Sequence, residues 1–157
     1  MERGEVIARK ISDFDRYTRH DCVARFLSPH QTGAALPKKV SMKNAIHNIS
    51  RTALVVEALR NGDLEMLGKV MTDKLHQPRR LKLIPGAAQA MSAAKEAGAS
   101  AVALSGAGPS VIAFSTGAAG IGESMKRAYE AAGVEARVFR LGVAGRGAEV
   151  REEGVRE

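Results

Sequence analysis

Two short apolar runs, Ala101-Val102-Ala103-Leu104 and Val111-Ile112-Ala113-Phe114, flank the six residues Ser105-Gly106-Ala107-Gly108-Pro109-Ser110. Runs this short, bounded by turn residues, read as buried strands and not as helices. Two strands joined by a Gly-rich loop commit this part of the chain to a sheet, and the rest must supply layers that cover it.

The flanking sequence supplies helices. Ser41 is placed to cap a helix over about Met42 to Arg60, with Ile46, Ile49, Ala53, Val56 and Leu59 recurring at helical steps as a core-facing stripe. Asn61-Gly62 provides a left-handed stop, and Asp63 can cap a second helix, Leu64 to Leu75. His76 to Ile84 reads as a connector, because Pro78 disfavours helix at Gln77. Pro85 suits the first turn of a third helix, whose small residues Ala87, Ala90, Ala94 and Ala97 permit close approach to a sheet. A fourth helix over about Ala119 to Ala132 and a strand from Glu135 to Leu141 complete the pattern. The expected fold class is α+β, with helices packed on one face of a small antiparallel sheet. Residues 1–33 show no sustained helical or alternating pattern and no element is assigned to them; residues 151–157 form a charged tail.

Composition narrows the function classes. The net charge of +7 favours an anionic partner, but the basic residues are scattered and aromatics make up 4% of the chain, leaving no stacking platform for bases. Nucleic acid is therefore not expected as a partner. No run approaches the roughly 20 apolar residues of a membrane span, and Met1 to Ile7 lacks the apolar stretch of a secretion signal. Cys22 stands alone, which rules out an internal disulfide and fits a reducing cytoplasm.

The glycine loop can be a plain turn or an anion cradle. It is not a Walker A loop, since Pro109-Ser110 stands where a Lys-Ser/Thr pair is needed. It is not a dinucleotide fingerprint, since a strand follows it in place of a helix. Gly106 and Gly108 would let an anion approach backbone N–H groups, with Ser105 and Ser110 adding hydroxyls at the rims. No side chain is read as a catalytic acid or base. His47 and Arg51 lie four apart on one helix and can face a common cleft; His47 and His76 alone do not make a metal site.

The loop, set between two apolar strands, resembles the third conserved motif of the GHMP small-molecule kinases. Leu36-Pro37-Lys38-Lys39-Val40, His47-Asn48-Ile49-Ser50-Arg51, Lys74-Leu75-His76-Gln77-Pro78-Arg79-Arg80 and Leu83-Ile84-Pro85-Gly86 resemble the homoserine kinases of that family, in the family's order. The resemblance covers about residues 34–150 and implies the family's C-terminal domain, with a ferredoxin-like split β-α-β core. It further implies ATP-dependent phosphorylation of the L-homoserine hydroxyl, a step of threonine biosynthesis, with ATP and Mg²⁺ as cofactors. Arg51 and Arg80 match the family's carboxylate-binding arginines, His47 would line the pocket, and Ser105, Gly106, Ala107 and Gly108 would contact the phosphoryl region. Arg79 stands where the family often has an aromatic residue. Nothing from Met1 to Leu36 resembles the family's Pro-x-x-x-Gly-x-Gly-Ser-Ser nucleotide loop. The expectation is a chain inactive by itself, with the main ATP and Mg²⁺ residues elsewhere. It would self-associate or pair with a separate N-terminal kinase domain. The alternative is an amino-acid-binding or regulatory module without catalysis.

Overall fold

The computed structural model describes residues 18–24, as backbone, and residues 35–142. Helix α1 spans Met42–Asn61, with the Ser41 hydroxyl accepting from the Asn44 N–H at 3.3 Å and Gly62 closing it at φ 63°. Asp63 caps α2, Leu64–Val70, by accepting from the Met66 N–H at 2.8 Å. The expected run to Leu75 stops at Val70, because the Asp73 carboxylate takes the N–H groups of Leu75, His76 and Gln77 that a continuing helix would give to carbonyls.

The expected connector is partly helical: α3 covers Gln77–Arg80 and a 3₁₀ turn follows over Leu81–Leu83. Pro78 sits in the first turn, where its missing N–H breaks no helical bond, so it starts the helix it was expected to prevent. Helix α4 is Ala87–Glu96 and begins after Gly86 (φ 80°), so Pro85 lies outside it. The strands β2, Ala101–Leu104, and β3, Val111–Ser115, precede α5, Ile121–Ala131, and β4, Ala136–Gly142.

The sheet takes a further strand, β1, Thr18–Ala24, from the segment to which the sequence assigns no element. The strand order is β2-β3-β1-β4, antiparallel throughout. β1 pairs with β3 from Thr18↔Ser115 to Cys22↔Val111, and with β4 from Thr18↔Gly142 to Ala24↔Ala136. It is the strand that joins the β2–β3 hairpin to β4. The result is the ferredoxin-like β-α-β-β-α-β arrangement with extra helices in the first crossover.

Helices α4 and α5 cover one face. Ala87, Ala90 and Ala94 are fully buried and pack with Val102, Ala113, Met125 and Tyr129 in one core cluster. The α1–α2 pair adds a second layer on the opposite face, where Ala58, Leu64, Leu67 and Val70 meet Ala101 and Phe114. The register explains this division: Ala101 lies opposite Phe114 and points one way, while Val102 lies opposite Ala113 and points the other. On α1 the expected core stripe is corrected. Ile46, Ile49 and Val56 are 57%, 71% and 52% exposed, and the core is met by Ala58 with Leu54, Val55 and Leu59. Helix α2 is only seven residues long and engages one end and one face of α1. No helix among the described residues is long and apolar enough to cross a membrane.

Candidate functional site

A cleft of about 300 Å³ opens where α1, the Met71–His76 stretch and β2 converge; Arg51, Asp73, His76 and Gln77 line its polar side and Val55, Val70 and Ala103 its apolar side. Arg51 is half-buried there, and its Nε is buried without a hydrogen-bond partner. Arg80, on α3, has the same property at its own Nε, while one terminal nitrogen donates to the Gly106 carbonyl at 3.2 Å. Arg79 is exposed. A buried donor left unpaired costs about 1–3 kcal/mol, more when charged, so each guanidinium carries a desolvation cost that no hydrogen bond at its Nε offsets.

His47 does not line the cleft; its Nε2 lies 3.1 Å from the Thr72 hydroxyl. Desolvation, then the Lys74 and Arg51 cations, push its pKa below the ordinary value. His76 is on the cleft rim. Among the described residues no three His, Cys, Asp or Glu side chains group as metal ligands.

Asp73 is the best-connected group nearby. Its Oδ1 accepts from Asn48 Nδ2 at 2.7 Å, from the Leu75 N–H at 2.6 Å and from the His76 N–H at 3.0 Å. Its Oδ2 accepts from the N–H groups of Gln77 at 2.7 Å and His76 at 3.1 Å. Desolvation alone would raise this carboxyl; the bonds from Asn48 and from the Gln77, Leu75 and His76 amides outweigh it and hold its pKa at about 2. Asn48, Asp73 and Gln77 are the site residues that motif reading missed. Asn48 and Gln77 stand inside the quoted blocks, and Asp73 immediately precedes one, in the Asx-turn position its hydrogen bonds reveal.

The Ser105–Ser110 loop is held from several sides. The Ser105 N–H donates to the Ser110 carbonyl at 2.8 Å, the Gly108 N–H to the Ser105 carbonyl at 3.1 Å, and the buried Tyr129 hydroxyl to the Pro109 carbonyl at 2.8 Å. Gly106 (φ 59°) and Gly108 (φ 83°) are left-handed, and the Gly108–Pro109 peptide is cis. A Cβ on Gly106 would meet nothing within 4 Å, so its outer side is open to a ligand. Among the described residues the Gly106 and Ala107 N–H groups bond to nothing. Open amides at a left-handed turn form an anion-binding concavity.

These donors fit carboxylate or phosphate oxygens, including those of ATP. They do not fit a magnesium ion: among the described residues the carboxylate that lines the cleft, Asp73, is saturated by five hydrogen bonds.

The model of the C-terminal region of GHMP kinases matches residues 55–138, more than half of the chain and including α3 and the glycine loop. This chain belongs to the GHMP kinase family. Relatives of this GHMP kinase chain include the homoserine kinase of Moorella thermoacetica, 47% identical over 125 residues, which cover 79% of this chain and 42% of that protein. The homoserine kinase of Pyrococcus furiosus is 45% identical over 113 residues, covering 72% of this chain and 38% of that protein. The crystal structure of homoserine kinase from Cytophaga hutchinsonii superposes with a TM-score of 0.76 at 28% identity, covering 80% of this chain and 41% of that one. The GHMP kinase chain thus spans less than half the length of these relatives.

Proposed function

We propose that this chain forms the C-terminal half of a homoserine kinase active site, binding the L-homoserine carboxylate and the reacting phosphoryl region. The observation that carries the reading is the pair of buried, unpartnered Nε donors of Arg51 and Arg80. A guanidinium can grip a carboxylate through parallel N–H···O bonds, and carboxylate is the one charged group homoserine offers to a cation. The relatives matched over most of this chain are homoserine kinases, which supports homoserine as the carboxylate.

ATP supplies the phosphoryl group. Arg51 and Arg80 fix the amino acid by its carboxylate, so that its hydroxyl is presented at a set distance from the loop. The open N–H groups of Gly106 and Ala107 would donate to phosphoryl oxygens as negative charge spreads over them. Phosphoryl transfer depends mainly on such positioning and charge neutralisation, and no acid or base from this chain is required. The principal nucleotide site and the magnesium ligands we assign to the portion of the relatives beyond the matched region. The exposed stripe Ile46, Ile49 and Val56 on α1 is the surface we assign to that portion.

Calorimetric titration with L-homoserine and with its carboxamide tests the carboxylate reading. Homoserine is expected to bind and the amide to give no saturable heat; equal binding of the two would overturn it. A coupled assay of the purified chain with ATP, magnesium and homoserine should show no turnover, and robust turnover would refute the assignment of the nucleotide site elsewhere.

A further inference from the structure

The proposed ligand groups stand on separate elements: Arg51 on α1, Arg80 on α3 and the open amides on the β2–β3 loop. A polar path links the three elements. Asn48, three residues before Arg51 and on the same helix, donates to Asp73 at 2.7 Å and accepts from the Lys74 N–H at 3.0 Å, so the pair is clamped in both directions. Asp73 holds the Gln77 N–H at 2.7 Å. The Gln77 side chain then turns to β2, where its Oε1 accepts from the Leu104 N–H at 2.7 Å. Leu104 ends β2, the edge strand of the sheet, and the loop begins at the next residue. One turn beyond Gln77, Arg80 reaches the Gly106 carbonyl at 3.2 Å.

We infer that Asp73 and Gln77 are positioning residues, which fix the glycine loop relative to the arginine helix so that the two ends of the site move as one body. A capping role alone would not need this arrangement. One accepted N–H caps a helix end, whereas Asp73 accepts from three amides and from a side chain of another helix. Helix α3 has four residues and no stability of its own at that length, so its orientation comes from these outside bonds. Gln77 carries that orientation to the loop. The role matters because a misplacement of about 1 Å between reacting groups can cost about 10²-fold in rate. Its connection to homoserine rests on the proposed function; the coupling of loop to helix does not.

Amide hydrogen exchange on the full chain, read by NMR, tests the coupling. In Asp73→Asn the Leu104 and Gly108 amides are expected to exchange at least about tenfold faster, about 1.4 kcal/mol of lost protection, while α4 and α5 amides keep their rates. Gln77→Leu should have the same local effect at Leu104. Gln77→Glu, which retains an acceptor oxygen, should restore the protection. The inference is overturned if Leu104 and the loop keep their protection in both Asp73→Asn and Gln77→Leu. It is also overturned if every amide accelerates together, which would make these residues general stabilisers. The Gln77 pair decides the matter should Asp73→Asn fail to fold. A homoserine titration of the same variants supplies the ligand arm, with about tenfold weaker binding expected for Asp73→Asn. If the unsubstituted chain binds no homoserine, the substrate reading fails while the exchange result still decides the coupling.

Discussion

At the scale of single residues, the site is organised by what its charged groups lack or possess. Arg51 and Arg80 each bury a donor with nothing to meet it, whereas Asp73 has every oxygen engaged. The first situation is where the proposed function puts its ligand; the second builds a scaffold. Asp73 also sets a pH signature. Its folded pKa of about 2 lies below the ordinary 3.8, so the folded state favours the ionised form. That contribution is complete above about pH 4 and is lost as pH falls toward about 2. Denaturant midpoints should show a constant advantage of the unsubstituted chain over Asp73→Asn from about pH 7 to about pH 5, shrinking below about pH 4. An advantage that persists undiminished at low pH would contradict the assignment. His47 moves in the opposite sense from a paired histidine: its ring should titrate by NMR below the usual value of about 6.5, leaving it neutral at pH 7. The residue types of the two arginines and the loop glycines are legible in the sequence because the motif blocks contain them. The roles of Asn48, Asp73 and Gln77 are not, because each depends on a partner 25 to 27 residues away.

At the scale of elements, signals decided within one turn hold, and those that depend on a distant side chain or on which face is covered hold only in part. Ser41, Asp63 and Gly62 cap or stop their helices where expected, since a cap is decided within one turn. The end of α2 and the helical turn at Gln77–Arg80 escape prediction because the Asp73 side chain decides both. The face of α1 escapes it because the helix is apolar on two sides and periodicity cannot say which side is covered first. Ile49→Lys, on the uncovered side, should leave the thermal midpoint nearly unchanged and reduce self-association in sedimentation; a large fall in stability would show that this side is core. The loop supports a paired prediction. Gly106→Ala meets open space and carries only the left-handed backbone penalty of about 1–2 kcal/mol. Gly108→Ala adds a Cβ 2.5 Å from Ile84 Cδ1, against a side chain that is itself buried, and should lose more. Equal losses at the two positions in thermal unfolding would contradict the described loop.

At the scale of the whole molecule, the sheet is completed by a strand the sequence hides. Thr18-Arg19-His20-Asp21-Cys22-Val23-Ala24 has no alternation and few strand-forming residues, yet it bonds along both edges to β3 and β4. A strand held on both sides is specified more by its neighbours than by its own propensity. The α+β class survives this omission because β2, β3, β4 and the alanine-faced α4 are each legible by themselves; the strand order does not, since β1 is what connects them. Removing residues 1–24 should therefore abolish cooperative unfolding, and a sharp transition in the shortened chain would argue against a central β1. Arg51 lines the cleft and Arg80 bonds to the glycine loop, and the proposed function has both arginines grip the carboxylate of L-homoserine. Titrating L-homoserine into the full chain and into Arg51→Ala and Arg80→Ala tests that grip. Saturable binding is expected that each substitution weakens at least about tenfold, the value of one lost charge-assisted hydrogen bond of about 1.5–3 kcal/mol. Binding that is absent, or indifferent to both substitutions, would contradict it.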